Sequence, residues 1–205
     1  MGVYKHELEK FKSFYYNYNY NQIDLTQKDG FIYAGSDLLQ DADGNLLGET
    51  ENYLNVGYKL KGPISKLLSN LFPYNFIFKG KKVSSIESVF QAIKFKSVKE
   101  QNLVLKYSGL SANIIKMATN YDWKESGNVY WQGKPINRFS KEYENFFIEL
   151  YVSALQNPLY RGVLKNVNKQ ILHSIGEVDK EKTVFSRYEF EKMLNALVDF
   201  VKIGK

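Results

Sequence analysis

The chain contains no cysteine, which excludes a disulfide framework, a thiolate nucleophile and any cysteine-ligated zinc or iron–sulfur centre. Its only histidines, His6 and His173, are far apart, so an obvious catalytic metal site is missing too. There is no G-x-G-x-x-G dinucleotide turn, no G-x-x-x-x-G-K-S/T phosphate loop and no G-x-S-x-G nucleophile elbow. Gly80-Lys81 lacks the upstream glycine that a phosphate loop needs. No apolar run approaches membrane-spanning length, and the opening MGVYKHELEKFKSF has no signal-peptide core. The expectation is a soluble, cytoplasmic chain with no membrane contact, no metal and no cofactor. Its chemistry would rest on carboxylates, amides, a lysine and aromatic rings.

What is present suits a single sizeable core. The 205 residues are 44% hydrophobic and 24% charged, enough for one domain with a small appendage. The net charge of +6 comes from 28 basic and 22 acidic residues spread along the chain. Nucleic-acid binders usually cluster their basic residues more strongly, and a pocket for phosphate-bearing small molecules explains the surplus equally well.

The chain is organised around Leu68–Val98, LSNLFPYNFIFKGKKVSSIESVFQAIKFKSV. A loop and a short extended run lead into an amphipathic helix whose core side is Ile86, Val89, Phe90 and Ile93. A polar row, Glu87, Gln91 and Lys94, shares another face and runs between Phe90 and Phe95. An acid, an amide and a cation in an apolar frame can form a small-ligand pocket. Ser84-Ser85-Ile86-Glu87 also spells a capping box, Ser84 as N-cap and Glu87 at N3, which would make Glu87 structural.

Elsewhere, residues 3–16 read as a helix, and YYNYNYNQ at 15–22 as a loop or an edge strand. Phe31–Gly35 is a strand signal, and Asp43-Gly44 marks a tight hairpin turn in an insertion at about 36–62. Asp41, Asp43 and Asn45 do not make a calcium loop, because Leu46 and Asn52 occupy the places that need Gly and Glu. A helix is expected from Gly109 to about Thr119, followed by an irregular functional loop over 120–138 that holds Trp123 and Trp131. Lys141–Leu155 is a helix stopped by Asn157-Pro158, and a shorter helix follows over 159–167. The last helix opens on a capping box, Ser186 and Glu189. His173, beside Leu172 and Ile175, reads as either a core histidine or a base.

Leu68-Ser69-Asn70, Pro73, Gly80, Ser85, Glu87, Gln91, Ala92 and Lys94 together resemble the signature of the NADAR superfamily, the YbiA-like N-glycosidases: LSNF-x-P, a short apolar run with Gly, then S/T-x-E-H-x-x-Q-A-x-K. The family His after the Glu is Ser88 here, and the C-terminal Trp-Gly-x-Gly is missing. Asp122-Trp123 and Gln156-Asn157 resemble further family positions.

The resemblance implies an α+β fold: one helix-dominated domain of YbiA-like type with a small β-sheet over about residues 31–83. The domain would span 31–205 after an N-terminal helix and connector, 1–30. It implies an N-glycosidase cleaving a ribose–nitrogen bond in an ADP-ribose-type or phosphoribosyl substrate, with ADP-ribosylated guanine or nucleic acid as a possible target. Glu87, Lys94 and Asp179 would be catalytic. Ser69, Asn70, Gln91, Asp122 and Trp123 would hold substrate, with Trp131 a rival to Trp123 for base stacking. The altered motifs leave open a non-catalytic binder of NAD-derived nucleotides or ADP-ribosylated targets. A nucleic-acid interaction protein using the Tyr/Asn run is the third reading.

Overall fold

The computed structural model describes residues 2–109, 111 and 123–204. In chain order the helices are α1 (Gly2–Tyr16), α2 (Pro63–Leu67), α3 (Ile86–Ala92), α4 (Val98–Val104), α5 (Trp123–Ser126), α6 (Lys141–Ala154), α7 (Pro158–Asn166) and α8 (Arg187–Ile203). The strands are β1 (Leu25–Lys28), β2 (Phe31–Ala34), β3 (Asp37–Leu38), β4 (Tyr53–Asn55), β5 (Phe76–Phe78), β6 (Lys81–Val83), β7 (Asn128–Trp131), β8 (Lys134–Asn137) and β9 (Gln170–Leu172). The architecture is α+β. In place of one small sheet over 31–83, the strands form a β1-β2-β3 meander, a parallel β4-β9 pair and two hairpins, β5-β6 and β7-β8. The parallel pair ties residues 53–55 to residues 170–172 in register, a long-range pairing that local sequence patterns do not carry.

Helix α6 is the central element. Its Phe146, Phe147, Ile148, Leu150, Tyr151, Val152 and Ala154 are all buried. It packs against α1, β5, β8 and α3. Ser140 caps it by accepting from the Tyr143 amide at 3.1 Å, satisfying one of the orphan donors of the first turn. The other long helix, α8, opens on the expected box of Ser186 and Glu189 and packs on α1, α7 and β9. The Tyr/Asn run straps across α8: Tyr18 donates to Asp199 at 2.9 Å and Tyr20 to the buried Glu191 at 2.5 Å. The polar tips of these tyrosines serve tertiary bonds while their rings cover apolar surface.

The segment around Asp43-Gly44 turns through an antiparallel bridge between Gln40 and Leu46, with Gly44 at φ 79°. Asp41 organises it, accepting from the Asp43 and Asn45 amides at 3.1 and 2.9 Å and pairing with Lys61 at 2.5 Å. Its oxygens are thus spent on the turn. Among the described residues no cluster of potential ligands could hold a metal, and no helix is long and apolar enough to cross a membrane.

Residues 123–138 differ from the irregular loop read in the sequence. They form α5 and the β7-β8 hairpin, with Gln132 and Gly133 at positive φ in the turn. The alternation Val129, Trp131 and Ile136 supplies the inward face, and all three are buried. The helix expected at 109–119 lies outside the described residues apart from Gly109 and Ser111.

Candidate functional site

The capping box at the start of α3 is shifted by one residue. The N-cap is Ser85, whose Oγ accepts from the Ser88 amide at 3.1 Å, while the Ser88 Oγ accepts from the Ser85 amide at 3.3 Å. Ser84 instead donates to the Lys106 carbonyl at 2.9 Å. Ser88, where the NADAR pattern has His, completes the cap, and Glu87 is released from it. The Glu87 amide donates to the Asn70 carbonyl at 2.9 Å, fastening the LSN loop onto the helix start.

Helix α3 ends at Ala92, so Lys94 stands in the turn after it rather than on the helix. The polar row nevertheless forms a directed chain. Lys94 Nζ donates to Gln91 Oε1 at 3.0 Å, and Gln91 Nε2 donates to Glu87 Oε1 at 2.5 Å. An ammonium group only donates and a carboxylate only accepts, so the amide between them has one consistent orientation. Lys94 and Gln91 are 9% and 3% exposed, which shields this charge-assisted chain from water and strengthens it.

Glu87, Gln91 and Lys94 line one cavity of about 260 Å³ with Asn70, His173 and Thr183, closed by Phe90, Val184, Phe185 and Phe190. Asn70 is held from behind: Tyr151, wholly buried, donates to its Oδ1 at 2.9 Å. Burial, with Tyr160 and Glu87 nearby, raises the Tyr151 pKa well above the usual phenol value and keeps this donor protonated. The aromatic wall is continuous with the core, since Phe90 stacks on Phe147 and Phe185 stacks on both Phe147 and Tyr151.

His173, whose apolar neighbours in the sequence favour a core histidine over a base, also lines the cavity. Its Nδ1 lies 2.7 Å from the Val56 carbonyl oxygen. A carbonyl only accepts, so Nδ1 carries the hydrogen and the neutral ring presents Nε2 as its acceptor. Burial lowers its pKa, against the opposing pull of the Val56 bond. The close approach of Gly176 seats the ring, since a Cβ there would meet His173 Cδ2 at 2.5 Å. The signal available in the sequence was a histidine three residues before a glycine, too common a pattern to single out.

Other predicted site residues lie elsewhere. Ser69 is buried and accepts from the Leu71 amide at 3.3 Å, shaping the loop. Asp179 is on the surface, where its carboxylate caps the Glu181 amide at 2.9 Å and pairs with Lys182 at 3.3 Å. It is not among the residues lining the Glu87 cavity. Trp123 and Trp131 both belong to the core, Trp131 meeting Phe78 and Phe146 at centroid distances of 5.0 and 5.4 Å. Neither indole lines that cavity. Asp122 lies outside the described residues.

Comparison with curated proteins and with solved structures gives no match. A family model described as Bacteriophage protein GP30.3 matches residues 62–199, more than half of the chain. This overturns the NADAR assignment, and with it the N-glycosidase activity and the ADP-ribose-type and NAD-derived ligands that this activity implied. Several positions behind the resemblance answer local folding demands. Ser85 caps a helix, Gly80 takes φ 76° in the β5-β6 turn, and Ala92 is fully buried. A loop, hairpin and capped helix call for such residues whatever the chemistry. The chain belongs to the bacteriophage GP30.3 family.

Proposed function

We propose that the Glu87 cavity binds a small polar metabolite and that Glu87 and His173 act on it as acid–base groups. The observation that carries this reading is the directed chain Lys94–Gln91–Glu87 on a cavity that Phe90, Val184, Phe185 and Phe190 also line. A carboxylate, two amides, an ammonium group, an imidazole and a hydroxyl converge there, the mixture of fixed polar groups and apolar walls typical of ligand sites. The volume of about 260 Å³ favours a ligand at the small end of the usual range. All the lining residues fall within the matched span 62–199.

Enzymatic turnover is part of the proposal. Burial keeps His173 neutral, and its Nδ1–H tautomer leaves Nε2 as a base. A base and a carboxylate lining one cavity are the equipment for moving a proton on a bound ligand. The test is a defined panel of hydroxylated, phosphorylated and amide-bearing small molecules, read by thermal shift and by mass spectrometry of the compounds afterwards. A ligand at a hundred times its Kd stabilises the fold by about 2.7 kcal/mol, and that gain should vanish in Glu87→Gln and Lys94→Met. A compound altered by the wild type and left intact by Glu87→Gln establishes turnover. Equal stabilisation and equal consumption in all three proteins would remove the reading.

A further inference from the structure

A second cavity, of about 380 Å³, shares the lining residue Phe185 with the first. It is lined from the N-terminal parts of both long helices: Ser140, Tyr143 and Glu144 come from the start of α6, Tyr188, Glu189 and Lys192 from the first two turns of α8. Both helices therefore bring their positive ends to it. Three cations, Arg138, Lys180 and Lys192, face two carboxylates, Glu144 and Glu189.

The pairing inside this set is uneven. Arg138, 3% exposed, is spent on Glu189 in a bidentate contact at 3.1 and 2.7 Å. Glu144 is engaged at 3.1 Å by Lys141. Lys180 lies 3.7 Å from Glu189, whose oxygens Arg138 and the Ser186 amide and hydroxyl already hold. Lys192 rests over the Tyr15 ring at 4.4 Å and, among the described residues, makes no ion pair. The Tyr143 hydroxyl, on a side chain that lines the cavity and is 2% exposed, has no hydrogen-bond partner among the described residues. Phe139, 62% exposed, lines the cavity together with Phe185 and Tyr188.

From these side chains we infer a second ligand site, distinct from the Glu87 cavity, that takes a small aromatic phosphate: its anionic group goes to Lys180 and Lys192 between the two helix starts, and its ring goes against Phe139 and Phe185. The cations supply charge-assisted donors that the resident carboxylates do not saturate. The exposed ring of Phe139 gains burial by covering a flat ligand. Burial holds the Lys192 pKa below its usual value, and a bound anion would relieve that cost.

Phenyl phosphate, inorganic phosphate and phenol, titrated calorimetrically at low and high salt, test the site. Phenyl phosphate should bind more tightly than either fragment, and its affinity should fall with salt as screening shortens the reach of the lysines. Lys192→Gln and Lys180→Gln should each weaken it about tenfold, the loss of one charge-assisted hydrogen bond, with Tm within a few degrees of wild type. Phe139→Ala should weaken phenyl phosphate and leave inorganic phosphate unchanged. Unchanged binding in the lysine variants, or equal affinity for phenyl phosphate and inorganic phosphate, overturns the inference. The Glu87 reading would survive either result, since none of the substituted residues lines that cavity.

Discussion

Gln91 Nε2 lies 2.5 Å from Glu87 Oε1 and donates to it, while the amide that begins the capping box belongs to Ser88. A one-residue shift of the cap, from Ser84 to Ser85, is what turns the Glu87 carboxylate away from the helix start and into the cavity. The shift is directly measurable. Ser85→Ala should cost about 1–2 kcal/mol, in the range of a lost N-cap, whereas Ser84→Ala, which removes only the surface bond to the Lys106 carbonyl, should cost less, about 0.5 kcal/mol. Denaturant titration of both variants decides it, and a reversed order would restore Ser84 as the cap.

His173 should titrate below the ordinary histidine value. Its pKa is lowered by burial, so the unfolded chain binds the proton more readily. The associated stability is complete above the unfolded value of about 6.5 and is lost as pH falls from there towards the folded pKa. With only His6 as a second signal, NMR can follow His173 alone, and its nitrogen shifts should report hydrogen on Nδ1. Gly176→Ala, whose Cβ would press on His173 Cδ2 and on Arg187 Cβ at 3.0 Å, should cost about 1–3 kcal/mol and displace that titration. An unshifted curve in this variant would mean that Gly176 does not seat the ring.

The Arg138–Glu189 pair should behave as a buried ion pair. Burial opposes ionisation of Glu189, but Arg138 and the Ser186 bonds outweigh it and hold the carboxyl below the usual glutamate range. Its contribution is present above the ordinary value of about 4.5 and is lost as pH falls through the depressed one. Glu189→Gln leaves a guanidinium 3% exposed without its carboxylate, a loss of about 3–5 kcal/mol. The variant should also lose less stability than wild type on acidification below pH 5. Equal acid sensitivity would assign that loss to other carboxylates.

The tyrosine strap should detach when its hydroxyls are removed. Burial and the Glu191 carboxylate both push the Tyr20 pKa up, so the phenol stays a donor. Glu191 is fully buried and also serves Arg187 Nε at 2.7 Å and the His173 amide at 2.8 Å. Tyr20→Phe should therefore cost about 2 kcal/mol, as for a hydrogen bond to a buried charged group, and Tyr18→Phe about 1.5 kcal/mol, since its acceptor Asp199 is a carboxylate only half-buried. Limited proteolysis over residues 17–22 should accelerate in Tyr20→Phe first. Resistance equal to wild type would show that ring packing alone holds the strap.

Local periodicity sufficed for the helices. The apolar spacing of Phe146, Phe147, Leu150 and Tyr151 defines α6, Ser186 with Glu189 starts α8, and Asn157-Pro158 separates α6 from α7. The row Glu87, Gln91 and Lys94 could also be read directly, because residues three and four apart are neighbours on a helical turn. Tertiary structure decided the rest. The β4-β9 pairing, the core role of both tryptophans and the arrival of His173 and Phe185 at Glu87 depend on contacts between segments distant in sequence. Such contacts leave no periodic trace, since neither partner's neighbours record them. The exile of Asp179 has the same cause: its sequence neighbourhood allowed an acid near the site, but its own turn and Lys182 hold it at the surface. The Ser85 cap lies between the two cases. Consecutive serines made either register possible, and the bond from the Glu87 amide to Asn70, across the loop, belongs to the register that puts the carboxylate in the cavity.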